Sequence, residues 1–370
     1  MEKRQSWIEG LKGWGILFIV LGHVAGEACH FSLGYEQIFL RGIYKYVYSF
    51  HVPLFFFIAG LTFSGGKRNF REFFLKKCKR LIVPYLCFGL ISAFALLVLS
   101  KGVTALLSDH ATNQGYAMQQ FGFWWTPFVG LAHGGGWPDG RGLICNSVLW
   151  FLPCLFSLEV ICYWVDKKLS GWKCLFIGIV TFILGFILRK YITVALPWGL
   201  NRVPYFIPFF LMGRWLGVNA LKAVEDRRKF WRWWILLGIF MIGAFAWMTP
   251  DPYLSNTNFG WYIVFTTIAF VGVFVWTGCA RFLHWGWLIK LGGGSMGIML
   301  MHKFPVVLLV IYVPFIREQF SSSCIAAGFA TFFITGTSII LCLLANRLVL
   351  VTMPWMLGAS TCMKSSNPAS

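Results

Sequence analysis

Long apolar stretches separated by short polar segments run along the chain to about residue 350. A helix needs roughly 20 mostly apolar residues to cross about 30 Å of hydrocarbon. By this measure the pattern predicts about ten transmembrane helices. They lie near residues 13–31, 43–64, 81–100, 143–165, 174–192, 203–218, 233–249, 260–279, 291–314 and 323–350.

The composition supports this interpretation. Hydrophobic residues make up 58% of the 370 residues and charged residues only 12%. An ordinary globular domain is about 45–50% apolar and about 25% charged, so the soluble classes are excluded. We predict an all-α fold, a polytopic integral membrane helical bundle. Because no Pro/Ser-rich linker interrupts the chain, we expect one transmembrane domain over residues 1–355 and a short cytoplasmic tail over residues 356–370.

The charge distribution predicts the orientation. Lysines and arginines number 32 against 13 acidic residues, giving a formal net charge of +19. In a soluble protein such an excess would suggest a nucleic-acid partner. Here most cations fall in segments that the alternating helices place on the side of the N-terminus, such as 67–80 and 222–232. Because cytoplasmic loops are enriched in Lys and Arg, we predict both termini in the cytoplasm and no nucleic-acid partner.

The eleven cysteines are scattered, with no CxxC motif and no Cys/His ligand spacing. Several lie inside apolar stretches, among them Cys87, Cys154 and Cys342. We interpret them as packing residues and expect neither disulfides nor a metal site. The N-terminus lacks an obvious small-residue cleavage site, so we interpret it as a retained first span.

The first predicted helix carries Glu9 and Lys12 near its start and His23 deep in its apolar stretch. Lys12 and His23 lie on nearly the same face, about 16 Å apart along the axis. An ionisable side chain at that depth usually faces a protein interior or a wet cavity. His23 is therefore either a functional group or a hydrogen-bonded core histidine. Glu27, one turn later, either accepts a hydrogen bond from that ring or is solvated at the outer boundary.

Two more histidines are predicted at a comparable depth. His51 lies about 12 Å below the outer surface in the second helix, and His302 approaches a similar level in the ninth. We expect at least two of the three rings to line one cavity. Pro53 removes a backbone donor and is expected to kink the second helix.

A basic segment joins the second and third predicted helices, with phenylalanines interleaved among the cations. Its cations include Arg71, Lys76, Lys77 and Arg80. One interpretation is an interfacial segment that sets topology and binds anionic lipid. The other is a site for a phosphorylated cofactor, because Arg and Lys neutralise phosphate with charge-assisted hydrogen bonds.

The longest predicted outer segment, residues 102–142, is rich in Trp, Gly and His. It is either a half-buried lid or an aromatic belt with a flexible glycine turn. Its candidate residues, with the tryptophan at the start of the fourth helix, are Trp124, Trp125, His133, Trp137 and Trp150.

Six stretches carry a family resemblance. In chain order they are WIEGLKGWGILFIVLGH, YSFHVPLFFFIAGLTF, FFLKKCKRLIVPYLCFG, LWFLPCLF, VPYFIPFFLMGRWLG and GGSMGIMLMHKFPV. Together they resemble the acyltransferase-3 family of membrane acyltransferases, and within it the branch that includes fucose 4-O-acetylase-like proteins. The resemblance implies transfer of an acyl group, commonly acetyl, from cytoplasmic acyl-CoA to a hydroxyl of a carbohydrate or glycoconjugate on the outer side. It also implies a bacterial inner membrane and modification of cell-envelope polysaccharide.

The resemblance also implies roles for individual residues. Glu9, Lys12 and His23 occupy the places of an acidic residue, a cation and a histidine that recur in the family, although many members have Asp and Arg at the first two. The basic motif before the third helix, which would hold CoA phosphates, corresponds to Lys76, Lys77 and Arg80, with Arg71 nearby. His51 matches the FHMPLFF pattern of the branch, with Val52 in place of Met.

These expectations combine into one mechanism. His23 would act as general base on the acceptor hydroxyl or would itself be acylated, and the sequence leaves both routes open. His51 or His302 would orient the base or stabilise the oxyanion. The tryptophans of the outer segment would offer rings on which a sugar stacks.

Two other classes of function fit some of these features. A proton-coupled transporter or flippase of a glycan or its precursor would use the three histidines as a relay. Such a protein favours inverted repeats, which this sequence does not display. A noncatalytic scaffold for glycan assembly would tolerate the loss of His23.

Overall fold

The computed structural model describes residues 2–64, 69–103, 126–134, 146–166, 172–192, 196–220, 228–248 and 259–358. Every regular element in these ranges is helical, which confirms the all-α prediction. The α-helices are, in chain order, α1 Glu2–Ala28, α2 Gly34–Tyr48, α3 His51–Leu61, α4 Phe70–Lys77, α5 Val83–Val103, α6 Thr126–His133, α7 Phe151–Asp166, α8 Trp172–Tyr191, α9 Val203–Ala220, α10 Arg228–Met248, α11 Phe259–Phe282, α12 Gly286–Gly293, α13 Ser295–Met301, α14 Lys303–Tyr312, α15 Pro314–Ser322 and α16 Cys324–Thr352.

Five helical segments of the described chain are long and apolar enough to cross a membrane. They are Ser6–Phe31, Phe70–Ala95, Ser147–Val165, Phe259–Phe282 and Cys324–Thr352. A sixth arises if α14 and α15, bent by 76° at a short break, form one span. The structure therefore supports five or six spans. The prediction of about ten spans and of two cytoplasmic termini stays a prediction.

The second predicted span is interrupted before its proline. Residues 43–64 form the end of α2 and all of α3, with a break at Ser49 and Phe50. Phe50 has φ −140° and ψ −17°, and the Ser49 hydroxyl donates to the Tyr46 carbonyl at 2.7 Å. Pro53 is the third residue of α3, where a helix needs no backbone donor. The proline thus lies in the first turn of a new helix rather than at a kink.

The ninth predicted span is also interrupted. Residues 291–314 include the end of α12 and all of α13 and α14, with boundaries at Gly294 and His302. Pro305 follows within the first turn of α14, where its missing N–H is tolerated. His302 consequently occupies a junction between two short helices.

The chain divides into two compact units. The first unit comprises Met1–Phe63, Ser170–Phe186 and Phe206–Leu344, and the second comprises Ser64–Leu169, Ile187–Tyr205 and Ala345–Ser370. The single domain over residues 1–355 stays a prediction. Of the predicted tail from residue 356, the described part is the end of a 3-10 helix, Pro354–Leu357, and Gly358. The rest lies outside the described residues.

Glycines bring α1 and α12 into backbone contact in the first unit. A Cβ atom added at Gly13 would overlap the carbonyl of Leu288, and one at Gly292 would overlap the carbonyl of Glu9. Small residues at a helix interface allow such close approach inside membranes. This contact fixes the N-terminal half of α1, the helix that carries His23.

A second pair of glycines joins α3 to α9. A Cβ atom at Gly60 would overlap the carbonyl of Phe210, and one at Gly213 would overlap that of Phe57. The rings of Phe56 and Phe206 stack in the same interface, with centroids 4.1 Å apart. Because His51 is the first residue of α3, this interface holds the helix that positions the second histidine.

In the second unit, α4 and α5 are joined by a π-helix, Cys78–Ile82. The Val83 N–H donates to the carbonyl of Cys78, five residues earlier. Pro84 has no N–H, so the regular bond to the carbonyl of Arg80 cannot form. The basic segment is thus continuous with the third predicted span, because Phe70–Ala95 forms one long apolar helix.

The contact between α1 and α12 can be tested with neighbouring glycines. Gly292→Ala should destabilise the protein by about 1–3 kcal/mol, because its methyl group overlaps the α1 backbone. Gly293→Ala should be neutral or slightly stabilising, since a Cβ there meets nothing within 4 Å and Ala favours the helix. Thermal unfolding of the purified variants in detergent measures the difference. Equal midpoints would contradict the packing described for α1.

Candidate active site

Four rings from separate helices meet in the first unit. They belong to His23 on α1, Tyr48 at the end of α2, His51 at the start of α3, and His302 between α13 and α14. The ring centroids of His23 and His302 are 5.1 Å apart. The Tyr48 ring lies 5.7 Å from that of His23 and 4.7 Å from that of His51. We call this group the histidine cluster; the structure brings the three predicted histidines together, and their catalytic roles stay predictions.

His23 is bonded to a side chain rather than to the backbone. Its Nδ1 lies 3.0 Å from the Tyr48 hydroxyl oxygen. Either group can donate in this hydrogen bond, because a hydroxyl and a neutral imidazole both donate and accept. His23 is half-buried, whereas His51 and His302 are buried. The tyrosine fixes the orientation of the ring.

His51 and His302 are held differently. The Nδ1 of His51 is 2.9 Å from the Val47 carbonyl, and that of His302 is 3.0 Å from the carbonyls of Ile298 and Met299. Since a carbonyl only accepts, each Nδ1 carries the hydrogen, and in the neutral ring Nε2 is a hydrogen-bond acceptor. The relative exposure of these residues is 3% and 0%.

The Nε2 of His302 is a buried acceptor with no hydrogen-bond partner among the described residues. A buried polar atom without a partner raises the free energy of the folded state and calls for an explanation. A neutral His302 can satisfy this atom only with a donor, such as a hydroxyl group or a water molecule. It cannot donate from Nε2 to an oxyanion unless it is protonated.

An ion pair borders the cluster. The Nζ of Lys303 donates to the carboxylate of Glu27, and both side chains are largely buried. Lys303 directly follows His302, and Glu27 lies one turn after His23. Of the two sequence interpretations of Glu27, an acceptor for the His23 ring or a solvated residue, the structure shows neither. It shows a carboxylate paired with a lysine from another helix.

Glu9 and Lys12 pair with each other. The Lys12 Nζ is 2.6 Å from a carboxylate oxygen of Glu9, one turn earlier on α1. Pairs at this spacing contribute only a few tenths of a kcal/mol to helix stability. The carboxylate thus neutralises the cation that the sequence placed on the face of His23.

The basic segment presents two faces. Lys77 points inward, with its Nζ 2.5 Å from the Glu159 carboxylate. Glu159 is buried, and this contact identifies the partner that the sequence did not reveal. The other cations between residues 69 and 80 are exposed and form what we call the cationic face: Arg71, Lys76, Lys79 and Arg80. Because Lys77 pairs with Glu159, part of its charge is already neutralised.

The outer aromatic candidates are only partly described. Trp124, Trp125 and Trp137 lie outside the described residues. His133 ends α6 and is half-buried, while Trp150 ends a 3-10 helix, Ser147–Trp150.

Arg202 and Trp198 join these candidates in the second unit. The Arg202 guanidinium stands 4.5 Å from the centroid of the Trp150 ring. The indole N–H of Trp198 donates to the carbonyl of Ala132 at 3.1 Å.

Sequence reasoning missed several residues of these sites. Tyr48 precedes His51 by one turn, and a tyrosine so close to a histidine in an apolar helix was the available signal. Lys303 adjoins His302, and Lys79 lies within the basic segment itself. Trp198 has φ 57°, a conformation that is rare for a bulky residue. Its position between Pro197 and Gly199 signals a turn but gives no role to the indole.

The described helices include segments that could span a membrane, and the first unit holds a cluster of imidazoles. The second unit exposes several cations along one helix. These features are typical of a membrane enzyme. The family model described as an acyltransferase domain matches residues 5–347. The chain therefore belongs to the acyltransferase-3 family, as its motifs predicted, and is a membrane acyltransferase. No curated protein and no solved structure matches it significantly. Membership of the fucose 4-O-acetylase-like branch stays a prediction.

Two adjacent lysines test the two faces of the basic segment. Lys77→Met should reduce stability by about 3–5 kcal/mol, because it leaves the Glu159 carboxylate buried without its cation. Lys76→Met, on the exposed face, should change stability by no more than about 0.5 kcal/mol. Thermal unfolding in detergent distinguishes them. If both variants unfold at the wild-type temperature, the buried ion pair does not stabilise the protein.

Proposed function

We propose that this protein is a membrane O-acyltransferase that uses acyl-CoA, most simply acetyl-CoA, as donor. The acceptor is a hydroxyl of a carbohydrate or glycoconjugate on the extracytoplasmic side of a bacterial inner membrane. The observation that carries the proposal is the histidine cluster: a half-buried imidazole, hydrogen-bonded to an orienting tyrosine, among apolar helices of an acyltransferase domain.

His23 is the reacting imidazole in this proposal. His23 is half-buried, whereas His51 and His302 are buried and their rings are bonded to backbone carbonyls. When Nδ1 of His23 donates to the Tyr48 hydroxyl, Nε2 is left as the base. This arrangement is a reactive group oriented by a second side chain, as in other acid–base sites.

Two routes remain open for the transfer. In direct transfer, His23 removes the proton of the acceptor hydroxyl, its oxygen attacks the thioester carbonyl, and the CoA thiolate leaves and takes up that proton. In the covalent route, the neutral Nε2 of His23 attacks the thioester, the CoA thiolate leaves, and the acylated ring keeps its Nδ1 hydrogen as an imidazolium. The acceptor oxygen then attacks the acyl group while its proton passes to the thiolate, which gives the ester, the CoA thiol and the neutral ring.

The enclosed histidines are suited to accepting hydrogen bonds. The Nδ1–H groups of His51 and His302 donate to backbone carbonyls. Each neutral ring therefore has a lone pair at Nε2 that can accept a hydrogen bond. Such an acceptor would orient the hydroxyl group of the substrate beside His23. Stabilisation of an oxyanion, the other role considered for them, would require a protonated ring.

The cationic face is proposed to bind the phosphates of CoA. Arg71, Lys76, Lys79 and Arg80 are exposed along one helix, and both guanidinium and ammonium groups bind phosphate with charge-assisted hydrogen bonds. Lys77 serves this site indirectly, because its pairing with Glu159 helps to fix the helix. The carbohydrate is proposed to stack on Trp150 and near His133, together with the tryptophans at 124, 125 and 137.

A proton-coupled transporter or flippase is the second candidate. The contact between the rings of His23 and His302 favours it, because adjacent imidazoles can relay protons. Release of free CoA from labelled acyl-CoA by the purified protein separates the two functions. Transport of a glycan without release of CoA would contradict the acyltransferase proposal.

Substitutions at His23 and at Tyr48 are expected to reduce activity to different extents. His23→Ala should lower kcat at least about 100-fold, because the general base or acyl carrier is lost. Tyr48→Phe removes one hydrogen bond and should lower kcat about three- to tenfold while leaving KM for acyl-CoA unchanged. Tyr44→Phe is the control, since Tyr44 packs its ring on Tyr48 and should keep wild-type kcat. Steady-state CoA release measures all three, and full activity of His23→Ala would end the proposal.

Phosphate binding at the cationic face is tested by comparing a donor that has phosphates with one that has none. The variant Lys76→Ala/Arg80→Ala should raise KM for acetyl-CoA about tenfold, through loss of charged hydrogen bonds. The same variant should not change KM for acetyl-pantetheine, which has no phosphate. Lys190→Ala, an exposed cation at the end of α8, should leave both values unchanged. An equal rise for the two donors would argue against phosphate binding at this face.

A further inference from the structure

The ion pair of Lys303 and Glu27 lies beside the histidine cluster and has no role in the reaction described so far. The Nζ of Lys303 donates to the Glu27 carboxylate. Lys303 is the first residue of α14 and directly follows His302, whereas Glu27 lies one turn beyond His23 on α1. Both α13 and α14 pack against α1. The pair therefore borders the rings of His23 and His302.

The proposed reaction requires a hydrogen-bond donor that the buried histidines do not supply. In both routes of transfer, attack on the acyl carbonyl moves an electron pair onto its oxygen and forms a tetrahedral oxyanion. Enzymes stabilise such an anion with donors or cations that are oriented before the reaction. The neutral rings of His51 and His302 present an acceptor at Nε2, because each Nδ1–H donates to a carbonyl. The donor must therefore be another group of the site.

The ammonium group of Lys303 has such donors. An ammonium carries three N–H groups, and Glu27 is the hydrogen-bond acceptor of this one among the described residues, so two donors remain. The Lys303 side chain is only 13% exposed, and a charge so placed is weakly screened by water. The charge is close enough to the rings of His23 and His302 to act on both electrostatically.

Glu27 balances the charge of Lys303. During transfer the His23 ring becomes a cation, by taking up a proton or an acyl group, while the carbonyl oxygen becomes an anion. With the carboxylate present, these groups carry no net charge before the reaction and none after this charge separation. Without it, the Lys303 ammonium would oppose the positive charge that develops on the ring. The carboxylate also restricts the flexible lysine chain to one position.

We propose that Lys303 is a catalytic residue whose ammonium donates a hydrogen bond to the oxyanion of the tetrahedral intermediate, and that Glu27 positions it. When the intermediate collapses, the carbonyl forms again and the bond to the leaving group breaks. That bond is C–S of the thioester or C–N of the acylated ring, and Lys303 keeps all three of its hydrogens. This role rests on the proposed acyl transfer, and it applies to either route because an oxyanion forms in each.

Replacing the two members of the pair separately and together tests this role. Lys303→Met should lower kcat at least about 100-fold, the loss expected when an oxyanion donor is removed. It should also lower the unfolding temperature in detergent, because the Glu27 carboxylate loses its cation. The double variant Glu27→Gln/Lys303→Met leaves neither charge unpaired, so its unfolding temperature should return toward that of the wild type while kcat stays low. Steady-state CoA release and thermal unfolding measure the two effects.

A second acyl donor and two more variants separate catalysis from structure. The electron-withdrawing fluorine of fluoroacetyl-CoA stabilises an oxyanion by itself, so the double variant should lose less kcat with this donor than with acetyl-CoA. Glu27→Gln keeps the ammonium but not its anchor, and should lower kcat about three- to tenfold. Lys290→Met removes an exposed cation of α12 and should keep the wild-type kcat and unfolding temperature.

Wild-type kcat in the double variant would overturn the role of Lys303, because the pair would then serve only to hold α1 and α14 together. An equal loss of kcat with acetyl-CoA and fluoroacetyl-CoA would also overturn it. Either result leaves the proposed acyl transfer intact, since the wild type still releases CoA. Absence of CoA release by the wild type with both donors would instead contradict the acyl transfer itself, and the role of Lys303 with it.

Discussion

Two buried or largely buried ion pairs within the apolar helices join distant parts of the chain. Lys303 pairs with Glu27, and Lys77 pairs with Glu159. An unpaired charge in hydrocarbon costs several kcal/mol, so each pair fixes the rotation of both helices about their axes. The same requirement applies to His51 and His302, whose ring N–H groups donate to carbonyls one turn earlier, and to His23, whose ring bonds to the Tyr48 hydroxyl. The orientation of the histidine cluster therefore follows from satisfying polar groups where water is scarce.

The helices themselves could be predicted from the sequence, because apolar stretches of sufficient length leave no alternative to helix in a membrane. Their interruptions could not. The break at Ser49 and Phe50 depends on a hydroxyl and an imidazole that bond to the preceding turn, and hydropathy does not register such bonds. Close contacts such as that of Gly292 with Glu9 join residues far apart in the chain. A glycine in an apolar helix signals a possible contact without naming its partner.

The proximity of the three histidines could be predicted, because the depth of a residue in a membrane helix follows from its position along that helix. Counting placed His23, His51 and His302 at one level, and their rings lie together. It could not assign the partner of each ring, since Tyr48 was one of many aromatic residues in that stretch. Nor could it show that Lys77 turns inward, because Glu159 lies 82 residues away. Long-range pairing decides which cation of a basic segment turns into the protein.

The π-helix between α4 and α5 has a consequence for how this segment can evolve. A π turn holds one residue more than an α turn, and one extra residue rotates everything before it by about 100° relative to everything after it. The direction in which Arg71 and Lys76 project is thus uncoupled from the set of α5 residues that face the protein interior. An insertion of this kind can change the direction in which the charged residues of α4 project while the apolar contacts of α5 are kept.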